Sequence, residues 1–249
     1  MGWSTKTMQS VSPQYEAEEK ITVNGNVDLY AVVFNRTTET DLTEDQLPQV
    51  DIYKYKQVIF VGDSRTEFME NVLTGMGESA TKNVKFVCSA GKGLDWFTTT
   101  GWAQLYSIVQ HDSNSILSKK TAVIFNFGVN DLSKSADYAE YYNWIAPQLK
   151  SKGCELYFMS VNPVNRLMLP NAGRADRSEA AVRSFNQYMK ANLSSAYTYI
   201  DMYSYLKSTG YSFASDHYGT GTVDDGLHYT TRTYKRIFAK CMDSLRVPA

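Results

Sequence analysis

From residue 57 onward, short and almost uninterrupted apolar runs alternate with segments of helical periodicity, and this alternation decides the fold. The runs are Val58-Ile59-Phe60-Val61, Val84-Lys85-Phe86-Val87, Ala122-Val123-Ile124-Phe125, Leu156-Tyr157-Phe158-Met159 and Tyr197 to Ile200. Strands that are apolar at consecutive positions are buried on both faces, as in a parallel sheet covered by helices. Between the runs, Tyr138, Tyr141, Tyr142, Ile145 and Leu149 share one helical face ahead of Gly153, and Val182, Phe185 and Met189 do the same within 177–193. Strand and helix taking turns in this way predicts an α/β fold, a three-layer α/β/α sandwich around a central parallel sheet, with right-handed crossovers. Reactive groups in such sheets sit just beyond the carboxyl ends of the strands.

Composition narrows the function classes. The 249 residues, 43% of them hydrophobic, suffice for one large domain or one domain with a small appendage. Lys plus Arg number 25 against 26 acids, so no basic surface is expected and nucleic acid is not an expected partner. The three cysteines, Cys88, Cys154 and Cys241, are odd in number and far apart, which argues against a disulfide framework or a paired metal motif. No apolar run reaches membrane-spanning length, so no membrane insertion is expected. The 18 tyrosines raise the aromatic share to 13%, and exposed members of that set would suit a ring-shaped polar ligand such as a sugar.

Residues 1–56 have a different texture. Ile21-Thr22-Val23, the turn Asn24-Gly25-Asn26 and the run Val27 to Phe34 predict a short β-hairpin. Residues 35–56, rich in Thr, Asp, Glu and Gln, read as a linker. Gly2-Trp3-Ser4-Thr5-Lys6, Tyr15, Ile21 to Gly25 and Leu29 to Val33 resemble the closing half of an internalin-type B-repeat (Listeria–Bacteroides repeat) over about residues 1–34. The first ten residues lack a charged-then-apolar signal pattern, which fits a cytoplasmic protein or an internal piece of a longer exported chain. The resemblance favours the second, and implies one module of a larger bacterial surface protein, extracellular or at the cell surface.

Four short motifs follow predicted strands. Gly62-Asp63-Ser64-Arg65 lies between a strand and a helix beginning near Thr66, which exposes a serine hydroxyl at the sheet edge beside the positive end of that helix. Asp225-Gly226-Leu227-His228 precedes the amphipathic stretch 231–245, and a carboxylate three residues ahead of an imidazole can fold back to hold its tautomer. Phe127-Gly128-Val129-Asn130-Asp131 offers the Asn130 amide as an oxyanion donor, with Asp131 ordering the loop. Ser89-Ala90-Gly91-Lys92-Gly93 offers a backbone N–H to the same oxyanion, from Gly93 or alternatively Gly91.

In order and position these blocks resemble those of the SGNH (GDSL-like) hydrolases over about residues 57–249. The resemblance implies a flavodoxin-like sandwich and a serine esterase working through an acyl-enzyme, with no metal or organic cofactor. It implies Ser64 as nucleophile, His228 as base and Asp225 as its orienter, with an oxyanion hole from Ser64, Gly93 (or Gly91) and Asn130. The sequence departs from the family pattern at Arg65, which stands where Leu is commoner, and in a second block without the usual Asn-x-Gly text. Arg65 is a candidate for binding an acidic substrate group, the alternative being an ion pair. Trp96, after the second block, and Asn162, on the loop Asn162-Pro163-Val164-Asn165 that runs on to Asp176, are further candidate substrate contacts, as is the Gly-, Ser- and Tyr-rich loop Tyr211 to Val223. His217 beside Asp216, and Cys88, are set aside for want of a usable partner, and His111 because it ends a helical segment among polar residues, where solvent exposure is expected. The expected substrate is an acyl, and foremost an acetyl, ester of a carbohydrate; a lipid or short-chain acyl esterase, an O-acyltransferase and a non-catalytic surface-binding module are the alternatives.

Overall fold

The computed structural model describes residues 2–4, 15–16, 21–32, 41–51, 54–111, 120–170, 173–214 and 224–245. Three short strands near the N-terminus, β1 (Gly2–Ser4), β2 (Tyr15–Glu16) and β3 (Tyr30–Val32), form an antiparallel sheet in the order β2-β1-β3. Among the described residues the expected hairpin is not found: Asn24 and Gly25 form a bend, but 21–23 and 26–29 lie outside any strand, and the last two residues of the expected run, 33–34, lie outside the described residues. Val23, Val27 and Leu29 are exposed, so no packed face rewards pairing across that bend.

The main sheet has five parallel strands, β4 (Tyr55–Gly62), β5 (Val84–Cys88), β6 (Lys120–Asn126), β7 (Cys154–Met159) and β8 (Tyr197–Ile200), in the order β5-β4-β6-β7-β8. Each contains one of the five apolar runs. The helices are α1 (Ser64–Thr74), α2 (Leu94–Trp96) leading through a π-helical turn (Phe97–Gly101) into α3 (Trp102–His111), α4 (Ser135–Lys150), α5 (Glu179–Asn192), α6 (Met202–Thr209) and α7 (Thr231–Ser244).

Alternate side chains of each strand feed two separate cores. Ile59, Val61, Val123, Phe125, Leu156 and Phe158 pack with Phe97, Leu105, Tyr142, Ile145, Val182 and Phe185, from the π turn, α3, α4 and α5. Val58, Phe60, Ala122, Ile124, Tyr157 and Met159 pack with Phe68, Val72, Leu206, Tyr234 and Phe238, from α1, α6 and α7. This is the three-layer sandwich that the continuous apolar runs require.

One expectation fails at the domain's start. Leu47 and Val50, inside the stretch read as a linker, are buried in the second core with Met242 and Leu245. A Thr43-capped turn (Glu44–Gln46) directs them inward. The polar residues around these two apolar ones masked them in the sequence.

The register brings the reactive edge into line. Gly62 lies opposite both Cys88 and Asn126, so β4, β5 and β6 end together. From β4 the chain moves outward to β5 and then returns to β6 on the other side, which opens a crevice between the carboxyl ends of β4 and β6.

Candidate active site

Ser64 is the first residue of α1, two residues past Gly62, the last residue of β4. Asp63 caps the helix through a 2.9 Å bond from the Arg65 N–H to its Oδ1. Complete burial pushes the Asp63 carboxyl up to about 6, against the pull of that bond and of Arg65. A first-turn residue has no intrahelical acceptor for its N–H, so the Ser64 N–H stays available beside the positive end of the helix. Gly62 is required by close approach, since a Cβ there would collide with Thr66 and with the Asn126 carbonyl.

Asp225 and His228 reach the same edge from the loop ahead of α7. Asp225 Oδ1 accepts the N–H groups of Leu227 (2.9 Å) and His228 (2.8 Å), and its Oδ2 lies 2.6 Å from His228 Nδ1. An ionised carboxylate only accepts, so Nδ1 carries the proton and Nε2 faces Ser64 Oγ, 2.9 Å away, as an acceptor. The turn that permits this depends on Gly226, whose φ is +72° and whose Cβ would strike the Asn165 carbonyl. Phe68 of α1 stacks on the imidazole at 4.2 Å. Burial lowers the His228 pKa, with Arg65 and Arg174 acting in the same direction and Asp225 opposing them. The Asp225 pKa is itself lowered, because bonds from His228 and Leu227 outweigh its burial.

Asn130, on the loop after β6, is held on both sides. Its Nδ2 donates to the Lys92 carbonyl (2.8 Å), and its Oδ1 accepts from Arg177 Nη2 (2.9 Å). An amide nitrogen has two hydrogens, so one remains free for a ligand. Arg177 is locked in turn by bonds to the carbonyls of Val129 (2.6 Å) and Ala175 (2.8 Å). Asp131 joins the neighbouring loops, accepting from the Leu94 N–H and the Tyr138 hydroxyl.

Ser64, Phe68, Ala90, Gly91, Asn130, Arg174, Arg177, Leu227 and His228 line an open cleft of about 490 Å³. A second hollow of about 380 Å³ shares Asn130, Ala175 and Arg177 with it and extends past Asp131 and Asp176.

Four sequence expectations change at this point. Gly91, with φ +69°, lines the cleft and its N–H makes no bond among the described residues, whereas Gly93 is pressed against the Asp131 carboxylate. Of the two glycines, Gly91 is therefore the one that faces the cleft. Arg65 is buried, does not line the cleft and, among the described residues, forms no ion pair, so neither alternative for it holds. Its guanidinium donates to the carbonyls of Leu227 (2.9 Å), Asn162 (2.8 Å) and Pro163 (2.8 Å) and lies over the Tyr229 ring. It clamps the serine's helix to the histidine's loop. Asn162 is also buried outside the cleft lining, with a side-chain amide unpartnered among the described residues. Trp96 packs against Phe127 and over Gly101, away from the cleft. His217, and the part of the Tyr211 to Val223 loop from residue 215 onward, lie outside the described residues.

Phe68, Arg174 and Arg177 were not singled out by the sequence. Phe68 looked like any apolar helical position. Arg174 sits in the polar loop to Asp176 whose place on the reactive edge was expected, and Arg177 directly follows that loop, but no motif distinguishes either.

A serine hydroxyl bonded to a carboxylate-held imidazole, at the crevice of a parallel sandwich, defines a serine hydrolase of the SGNH fold. The chain belongs to the GDSL-like lipase/acylhydrolase family, whose model matches residues 58–241, and is a serine esterase. Among solved structures it is similar to a proposed acylhydrolase from Bacteroides fragilis NCTC 9343, at 15% identity and TM-score 0.52, over 81% of this chain and 92% of that one. It is also similar to a proposed SGNH hydrolase from Slackia heliotrinireducens, at 12% identity and TM-score 0.53, over 78% of this chain and all 100% of the other. Identities this low speak to the fold alone. No curated protein matches the chain.

Proposed function

We propose that the protein hydrolyses short acyl esters, acetyl foremost, of a carbohydrate, with Ser64 as nucleophile, His228 as general base and Asp225 as its orienter. The observation that carries this reading is the unbroken hydrogen-bond chain from Ser64 through His228 to Asp225 at the mouth of the cleft. Ser64 Oγ attacks the ester carbonyl carbon while its proton passes to His228 Nε2. The carbonyl oxygen, now an anion, accepts from the N–H groups of Ser64 and Gly91 and from the Asn130 amide. Collapse breaks the bond to the alcohol, which leaves with the proton from His228, and the acyl group stays on Ser64. Water then attacks the acyl carbon, giving a proton to His228 Nε2; collapse breaks the bond to Ser64 Oγ, which takes that proton back from His228, and the acid is released.

The cleft supports a small acyl group and a polar alcohol. Phe68 and Leu227 are the large apolar side chains in its lining, too few to sheathe a long alkyl chain. The adjoining hollow gives a hydrophilic path on which further sugar rings could lie. The likeness of the first 34 residues to a surface-protein repeat is the ground for proposing that this happens outside the cell.

A panel of acetylated sugars and of nitrophenyl esters from two to twelve carbons tests the reading. Acetyl esters are expected to react fastest, and Ser64→Ala to lower kcat by about 10⁴-fold or more while the fold persists. A rate that climbs with chain length would overturn the carbohydrate assignment. A Ser64→Ala variant with unchanged kcat would overturn the mechanism.

A further inference from the structure

The charged side chains in the cleft lining are two arginines, since His228 serves as a neutral base. The lining holds Arg174 and Arg177 but, among the described residues, no Asp or Glu, although the whole chain has a net charge of −1. The two arginines differ in what they have left to offer. Three Arg177 nitrogens each donate to a neighbour, so its guanidinium is occupied in holding Asn130, Val129 and Ala175. Arg174 makes one side-chain bond, from Nη2 to Asp225 Oδ2 at 3.2 Å. Among the described residues its Nε is enclosed without a partner and its Nη1 makes no bond. A guanidinium has five donors in a rigid fork, and a buried donor left unpaired is costly. The Arg174 backbone is anchored, its N–H bonding the Leu169 carbonyl at 2.8 Å. The side chain is 37% exposed, at the cleft wall beside the histidine's partner.

We propose that Arg174 is the docking cation for an anionic oxygen group, a carboxylate or a phosphate, carried by the substrate close to its ester. This rests on the esterase reading and narrows its substrate class: the alcohol is an acidic sugar unit, a uronate or a sugar phosphate, in place of a neutral one. An anion in the cleft can accept from the unbonded Nη1 at the exposed end of the guanidinium, and the bond from Nη2 to Asp225 holds the fork in place to receive it.

The test compares kcat/KM for acetylated methyl glucuronoside, its uncharged carboxamide analogue and an acetylated methyl glucoside 6-phosphate, in wild type, Arg174→Gln and Arg174→Lys. Wild type is expected to favour at least one of the two anions over the carboxamide by about tenfold or more, as for hydrogen bonds to a charged group. Whichever anion is favoured identifies the group. The preference should fall to near one in Arg174→Gln and survive in part in Arg174→Lys. Because Arg174 also touches Asp225, both variants can lose overall rate, and the ratio between substrates cancels that shared loss. A wild-type ratio near one, or a ratio unchanged in Arg174→Gln, would overturn the proposal. Should Arg174→Gln be inactive, wild type decides: glucuronate or glucose 6-phosphate must inhibit neutral-ester hydrolysis competitively, less so at high salt, and no inhibition by either rejects the proposal. Ser64-dependent hydrolysis of neutral esters without anion preference defeats this inference alone, whereas no hydrolysis of any ester defeats the reading beneath it.

Discussion

The imidazole of His228 is enclosed between Phe68, Asp225 and Ser64, and that enclosure sets how the site answers to pH. A general base works only when neutral, so protonation of His228 switches the reaction off. Burial, with Arg65 and Arg174 nearby, holds its pKa below the ordinary value of about 6.5. The acidic limb of kcat/KM should therefore have its midpoint below 6.5, with the rate rising above it to a plateau that holds to pH 8; a midpoint above 6.5 would contradict the environment described. Asn130 supports a second expectation. Asn130→Ala should lower kcat by about 10²–10³-fold, as for loss of one oxyanion donor. Arg177→Met, which leaves the amide present but unanchored, should lose a smaller part of that factor. Steady-state kinetics check both, and an Asn130→Ala enzyme within threefold of wild type would remove Asn130 from the oxyanion hole.

Between elements, the decisive connection is Arg65. It joins α1, which presents Ser64, to the loop that presents His228 and to the loop after β7. Arg65→Ala strands three buried carbonyls and should lower unfolding stability by about 3 kcal/mol or more. Arg65→Lys should recover little of it, because an ammonium cannot span the same fork. Urea denaturation measures both, and a loss under 1 kcal/mol for Arg65→Ala would show the clamp to be incidental. The five strands were legible in the sequence because a strand buried on both faces has no polar positions to blur it. The Ser64, Asp225 and His228 positions were legible because each lies in a short local motif. Arg65 was misread because its partners are main-chain carbonyls from Asn162, Pro163 and Leu227, which leave no pattern in side chains. Gly93 was preferred over Gly91 without sight of Asp131, which packs against it from another loop.

For the molecule as a whole, the sheet divides the interior into two cores, and the second draws in chain from ahead of β4. Leu47→Ala should therefore cost about 2–4 kcal/mol, a core-sized loss. A true linker position would cost nearly nothing. Thermal unfolding separates the two outcomes, since 2 kcal/mol moves the midpoint of a domain this size by roughly 4–8 °C. The small sheet formed by β1, β2 and β3 was anticipated only as β structure, because pairing between Gly2–Ser4 and Tyr30–Val32 leaves no turn signal in the intervening text.

Labelling with a fluorophosphonate probe, followed by peptide mapping, most directly tests whether Ser64 is an activated nucleophile. The probe should attach to Ser64 alone, at a rate that falls as His228 is protonated, and His228→Ala should slow it by orders of magnitude. A Ser64 that stays unlabelled in the folded wild-type protein, or reacts no faster than in His228→Ala, would contradict the account.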